Sequence, residues 1–292
     1  MIPVQQGNST IRSIPLGSAY QNEDIYLIKI IKNNLSGPHG PKTHQKTNIM
    51  TTLARFTIAL ILTLLSMLSS SCMLDMNFGD GVKGNGDVVE ESRDITENFT
   101  AITASEGLDV YVTQSADFKI RVEADENVID LIGTDIRNGK LKIHEIENIG
   151  RATKKVFVSL PEITSLEANS GADLVGEGLL EADKIHLDAS SGAEIRLELV
   201  ADQIEADCSS GADMRLGGRT YLLYANASSG SDIKALDLVT KVCRADASSG
   251  ADIKVNVQDE LTADASSGAD IGYSGDPKVE TRKSVSGSVR KY

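Results

Sequence analysis

One polar octapeptide recurs six times between residues 167 and 271: EANSGADL, DASSGAEI, DCSSGADM, NASSGSDI, DASSGADI and DASSGADI. Its glycines, Gly171, Gly192, Gly211, Gly230, Gly250 and Gly268, lie 21, 19, 19, 20 and 18 residues apart. A period near 19 residues signals a repeat architecture, in which each unit buries its apolar side only by stacking on its neighbours. Alternation around each glycine identifies the unit. Ile185, Leu187, Ala189, Ser191, Ala193, Ile195 and Leu197 share one parity, and so do Ile204, Ala206, Cys208, Ser210, Ala212, Met214 and Leu216. A period of two is the strand signature, with one face buried. The columns repeat their size classes from copy to copy, large, small, small, Ser, small, large, large, with exceptions such as Leu187, larger than its column, and Ala235, smaller.

A leucine-rich repeat needs a Leu- and Asn-bearing consensus, and a calcium-binding roll needs a glycine-rich nonapeptide. Neither is present. The expected fold is all-β, a single-stranded parallel β-helix with rungs of about 19 residues, like residues stacking about 4.8 Å apart. Each glycine then sits at a bend where a side chain is unwelcome. By parity, Ser170, Ser191, Ser210, Ser229, Ser249 and Ser267 turn inward as a hydroxyl ladder at the same corner. Aromatic residues make up only 4% of the chain, with no Trp, which suits a core of stacked small and aliphatic side chains.

The opposite parity carries the chemistry. Asp188, Asp207, Asn226, Asp246 and Asp264 precede the glycine, and Asp173, Glu194, Asp213, Asp232, Asp252 and Asp270 follow it. Like charges one rung apart repel, and a hard divalent cation with oxygen ligands relieves that. The second set is therefore a candidate calcium ladder. The competing reading is that these carboxylates cap the turn through local hydrogen bonds and stay solvated, since every rung has them and none is singled out. Two residues beyond the carboxylate stand Arg196, Arg215, Lys234 and Lys254. These form a candidate binding face. They also invite comparison with β-helix enzymes that act on acidic polysaccharides using calcium and a base. The plain alternative is a solvated face of ion pairs. His144 and His186 fall on outward parities with no nucleophile implied beside them, and His39 and His44 precede residue 50. No catalytic residue and no cofactor is expected. Carbohydrate binding is helped by exposed aromatics, and near the repeats only Tyr221 and Tyr224 stand out.

Residues 50–71 carry a positive charge at Arg55, then an apolar run from Phe56 to Leu68, then three serines, the pattern of a secretory signal. The run is too short to span a bilayer comfortably, which takes about 20 residues. Cys72 follows directly, so Leu68 to Cys72 reads as a bacterial lipobox with Cys72 as the lipidated residue. Several acyl chains make such an anchor stable where one alone is marginal. Residues 1–49 read as a mis-assigned or disordered leader, with translation starting at Met1 or Met50. Residues 72–83 form a tether, and Asp75 is the only acid close behind Cys72.

The chain of 292 residues has a formal net charge of -13, and residues 72–292 carry 23 bases against 40 acids. Such a body excludes nucleic acid as a partner and disfavours an anionic membrane surface. Cys208 and Cys243 fall in different columns two rungs apart, roughly 9 Å or more on this rise. That is too far for a disulfide, so both are expected to be buried free thiols.

Before the repeats, strand-like alternation appears at 99–104, 108–113, 119–123, 140–144 and 155–160. Residues 125–136 leave room for one short helix with Asp125 as its N-cap. Residues 84–165 read as irregular first rungs, because terminal repeats must cap the core. Regular rungs occupy 166–275, the domain runs over 84–289, and 290–292 form a tail.

The segments VKGNGDVVEESRDITENFTAITASEGLDVYVTQ (Val82 to Gln114), VEADENVIDLI (Val122 to Ile132), the stacked Ser-Gly-Ala-Asp phrases and GDPKVETRKSVSGSV (Gly275 to Val289) together resemble the family called putative auto-transporter adhesin, head GIN domain. The resemblance covers nearly everything after the tether. It implies a right-handed parallel β-helix and a secreted lipoprotein of Bacteroidetes-type bacteria, in the outer membrane, facing either the periplasm or the exterior. The functional expectation is a non-enzymatic, adhesin-like envelope module with a protein or glycan partner and an open oligomeric state. Two alternatives stand beside it: a scaffold stacking end to end, and a carbohydrate-binding or polysaccharide-active β-helix using calcium.

Overall fold

The computed structural model describes residues 81–282 and 286–292. The expected signal, lipidated Cys72 and leader, and nearly all of the expected tether, lie outside the described residues. Among the described residues sixteen strands run β1 (Val88–Ser92), β2 (Ala101–Ala104), β3 (Asp109–Gln114), β4 (Lys119–Asp125), β5 (Ile132–Arg137), β6 (Lys140–Glu145), β7 (Lys154–Leu160), β8 (Ser165–Ala168), β9 (Asp173–Ala189), β10 (Glu194–Cys208), β11 (Asp213–Ala227), β12 (Asp232–Ala247), β13 (Asp252–Ala265), β14 (Asp270–Ser274), β15 (Lys278–Thr281) and β16 (Ser288–Lys291). They build a β-solenoid of about seven turns with a spacing near 19 residues. From β8 onward each coil pairs in parallel with the next.

Each octapeptide makes a tight corner. In the second, Ser191 and Gly192 have φ of 54° and 74°, and the Ala193 N–H donates to the Ser190 carbonyl at 3.2 Å. Two central residues with positive φ and an i+3 to i bond define a type I′ turn. Ser170, Ser210, Ser229, Ser249 and Ser267 take the same left-handed backbone, each followed by its glycine. The stack continues through the corner itself, where the N–H groups of Gly171, Gly192, Gly211, Gly230 and Gly250 donate to the carbonyls of Ser191, Ser210, Ser229, Ser249 and Ser267.

The inward serine ladder is therefore corrected. Ser191 and its equivalents project into solvent, because a two-residue turn preserves the parity of its flanks while removing its central residues from the wall. The hydroxyl that does point inward is Ser231, where the phrase reads SSGS. It is buried, and its Oγ donates to the Cys208 carbonyl at 2.8 Å.

Size classes now have a reason. The two walls converge on the corner, so Ala189 and Ala193 flank it, with Leu187 and Ile195, then Ile185 and Leu197, filling the widening wedge. On the far side of each coil the chain bends within one long strand. Burial in β10 alternates through Leu199 and Ala201, slips by one at Asp202 and Gln203, and resumes at Ile204. Length differences between copies are absorbed away from the corner: the pairing register breaks at Arg196/Glu198, Arg215/Gly217, Ala235/Val239 and Thr240/Val242.

Residues 84–165 are not rungs in sequence order. β2 and β3 form a coil around a further corner, Glu106 and Gly107, with φ of 62° and 66°. This coil lies between β8–β9 on one side and β6–β7 on the other. The intervening chain closes that end with antiparallel strands, β4 on β7, β1 on β4 and β5 on β6. The expected helix reduces to a 3₁₀ turn at Ile129–Leu131 with Val128 at its N-terminal position and no side-chain capping bond. Asp125 serves elsewhere: its buried carboxylate accepts the Gly86 and Thr153 N–H groups, both at 2.6 Å, tying the terminal strands together. No helix among the described residues is long and apolar enough to cross a membrane.

Candidate functional site

Strict corner register turns sequence columns into continuous stripes. On the wall that follows the corner, Asp109, Asp173, Glu194, Asp213, Asp232, Asp252 and Asp270 pair successively, Lys155 standing beyond Asp109 and Ser288 beyond Asp270. Asp109 is an addition to the expected column; the phrase ASEGLDV aligned on ANSGADL would have revealed it. Burial, then the neighbouring Asp109 charge, raises the Asp173 carboxyl above the ordinary aspartate range.

Arg196, Arg215, Lys234 and Lys254 form the adjacent stripe in direct register. Most of this charge is matched locally. Glu194 lies 3.2 Å from Arg196 and 2.9 Å from Arg215, while Lys234 contacts Asp213 closely and reaches Asp232 at 3.5 Å. Those bonds raise the Lys234 ammonium above its usual range, the hydrogen bond it donates to Asp213 foremost. Half-exposed pairs of this kind contribute about 0–1 kcal/mol each. Their main effect is to fix a flat wall of alternating sign.

Toward the capped end the basic stripe becomes aromatic. Arg196 pairs with Val175, Val175 with Tyr111, Tyr111 with Phe157, and Phe157 with Arg121. Tyr111 and Phe157 stack at 5.0 Å and 15°, and the Arg121 guanidinium lies 4.0 Å from the Phe157 centroid. The expectation that Tyr221 and Tyr224 were the aromatics of the repeat face is corrected by this pair. Its signal was the position of Tyr111 two residues after Asp109, the basic column's place. Tyr224 instead meets Arg244 at 5.7 Å, and Tyr221 is 60% exposed on the bend.

The wall that precedes the corner carries its own column, Thr103, Glu167, Asp188, Asp207, Asn226, Asp246 and Asp264. From Asp188 to Asp264 the column lines, with Ser209, Ser228 and Ser248, a shallow groove of about 380 Å³. Burial, then the Asp207 charge, raises the Asp188 carboxyl. At position 226 the repulsion is replaced by a bond: the Asn226 amide donates to Asp207 Oδ1 at 2.8 Å. Among the described residues, the group able to gather three ligand atoms on one ion is His186, Glu205 and Asp207, all within 4.8 Å of one another. His186 Nδ1 is 3.7 Å from Asp207, and Lys184 lies 3.8 Å from Glu205 as a competing cation. The post-corner carboxylates form no such group.

Cys208 and Cys243 are free and buried two coils apart. Burial pushes their thiols up to about 11 and about 12, which leaves them protonated and inert.

Charged columns held in register along the walls, with one aromatic pair toward the capped end, define a β-solenoid whose chemistry is spread over faces. A family model described as "Putative auto-transporter adhesin, head GIN domain" matches residues 98–277, and the chain belongs to that family. Among solved structures, it is similar to a putative adhesin from Bacteroides fragilis, with a TM-score of 0.66 and 16% identity over 73% of this chain and all of the other. A putative adhesin from Parabacteroides merdae shares 20% identity at a TM-score of 0.60, covering 73% of this chain and 99% of its own. A putative lipid binding protein from Parabacteroides distasonis shares 19% identity at 0.60, covering 72% and 99%. At these identities the likeness speaks for the fold. Curated proteins give no match.

Proposed function

We propose that the chain is a non-enzymatic, exported adhesin-type module of the cell envelope, anchored through lipid on Cys72, that takes a protein or glycan partner on its striped wall. Family membership supports the envelope and adhesin reading. The lipid anchor rests on the sequence Leu68 to Cys72. One observation carries the choice of surface: the stacked Tyr111–Phe157 pair with Arg121 continues the same column as Arg196, Arg215, Lys234 and Lys254. Aromatic and arginine groups dominate recognition surfaces because they offer large contact area at low conformational cost. Here they sit on a rigid sheet, so the wall is preorganised and binding orders little.

The test is adhesion of cells carrying the native protein or the variant Tyr111→Ala with Arg215→Glu to arrays of glycans and matrix proteins. The variant should lose binding while retaining its circular-dichroism spectrum. Equal binding by both proteins would remove the wall from the account.

A further inference from the structure

The ends of the solenoid differ in charge. Residues 81–98 hold five acids against two bases, and residues 276–292 hold five bases against two acids. In a chain of net charge -13 the basic end is the exception. Each end also presents an edge strand. One wall runs as a single path from β1 to β16, and among the described residues no strand pairs with the outer edge of either. Strand edges of this kind are templates for pairing with another chain.

Their directions match. β1 is antiparallel to β4 and β4 to β7, while β7, β3, β9 and every later strand of the path are parallel. β1 therefore runs parallel to β16, and a copy displaced along the axis brings its β1 beside the first copy's β16 in ordinary parallel pairing. On the other wall the same displacement brings β5, antiparallel to its neighbour, toward β15. Pleat and chemistry select a register. Val89 and Glu91 share the core-facing parity of Ala124 and Val122, and Val289 shares that of Ile271. With Val289 beside Val89, Arg290 falls beside Glu90 and Lys291 beside Glu91. Val88 and Val89 are among the exposed large apolar residues, at 48% and 37%. Among the described residues Glu90 pairs with Arg121 at 2.7 Å and Glu91 with Arg93 at 2.8 Å, and Lys291 contacts exposed Asp276.

We infer that this protein assembles head to tail with further copies of itself, β16 of one copy adding to β1 of the next. The contact is heterologous, so it propagates as an open filament. It is independent of the striped wall, which stays free along the filament's side, and multiplies that wall's valency.

The experiment is sedimentation velocity of the full chain in mild detergent from about 1 to about 100 μM, since self-association must depend on concentration. Two charge reversals are compared: Glu90→Lys with Glu91→Lys, and Arg290→Glu with Lys291→Glu. The native protein should form species beyond the dimer. Each reversed protein alone should associate at least about a hundredfold more weakly, because like charges then face each other. Their equimolar mixture should assemble again, since basic β1 meets acidic β16 and the converse. A native chain that stays monomeric throughout, or association unchanged by either reversal, overturns the inference. Failure of the mixture to assemble overturns the assigned contact.

Discussion

Replacing Gly211 by Ala isolates what the corner costs the backbone. Gly211 has φ +72°, and a Cβ built there meets nothing within 4 Å. The penalty is therefore conformational alone, about 1–2 kcal/mol for an L-residue in the left-handed region. Alanine also restricts the unfolded chain relative to glycine, which returns about 0.4–1 kcal/mol. The net expectation is a loss of about 1 kcal/mol. Gly218, on the far bend of the same coil, has φ +106°, and its Cβ would lie 2.1 Å from the Leu199 carbonyl oxygen. That contact is backbone on backbone between paired coils and no rotamer relieves it. Gly218→Ala should cost well over 3 kcal/mol, in the range of strain at a special backbone position. Urea denaturation followed by far-ultraviolet circular dichroism measures both. Equal losses, or a larger loss at Gly211, would refute the assignment of open corner and crowded bend.

Asp188→Asn should stabilise the protein at pH 7. Its carboxyl is raised in the folded state, so its favourable contribution is complete below the unfolded value and fades as pH rises through the folded one. The gain in Tm should therefore vanish near pH 3, and a Tm gain independent of pH would contradict this. Cys208 and Cys243 should resist thiol reagents at pH 8 until the chain unfolds, since burial holds both protonated; rapid labelling of the native state would contradict their placement. Calcium at about 1 mM, ample for weak extracellular sites, should leave Tm unchanged, and a rise abolished by Asp213→Asn would instead establish the carboxylate ladder as a cation site. A Tm rise with zinc that His186→Ala removes would establish the His186, Glu205 and Asp207 group.

The fold was legible because its signals are local and repeated. Period-two burial around Gly192 or Gly250 names the strand, and a period near 19 names the stack. The wedge of Ala near the corner and Leu or Ile beyond it is written in the columns themselves. Parity could not report which way Ser191 or Ser210 points, because a type I′ turn conserves parity across its flanks. Nor could it order the first 80 residues of the domain. The β2–β3 coil sits between coils formed much later in the sequence, a long-range pairing with no local mark beyond the corner phrase SEGL. The candidate wall was half legible: its Arg and Lys column came from spacing, whereas Tyr111 and Phe157 join it only through strand register between distant segments.

Protease treatment of intact cells, with the protein followed by antibody, decides whether the striped wall is available to a partner outside the cell. An adhesin-type wall must face the exterior, so the account predicts that the solenoid is digested while an internal envelope marker survives. Full protection of the chain on intact cells, with digestion only after lysis, would contradict it.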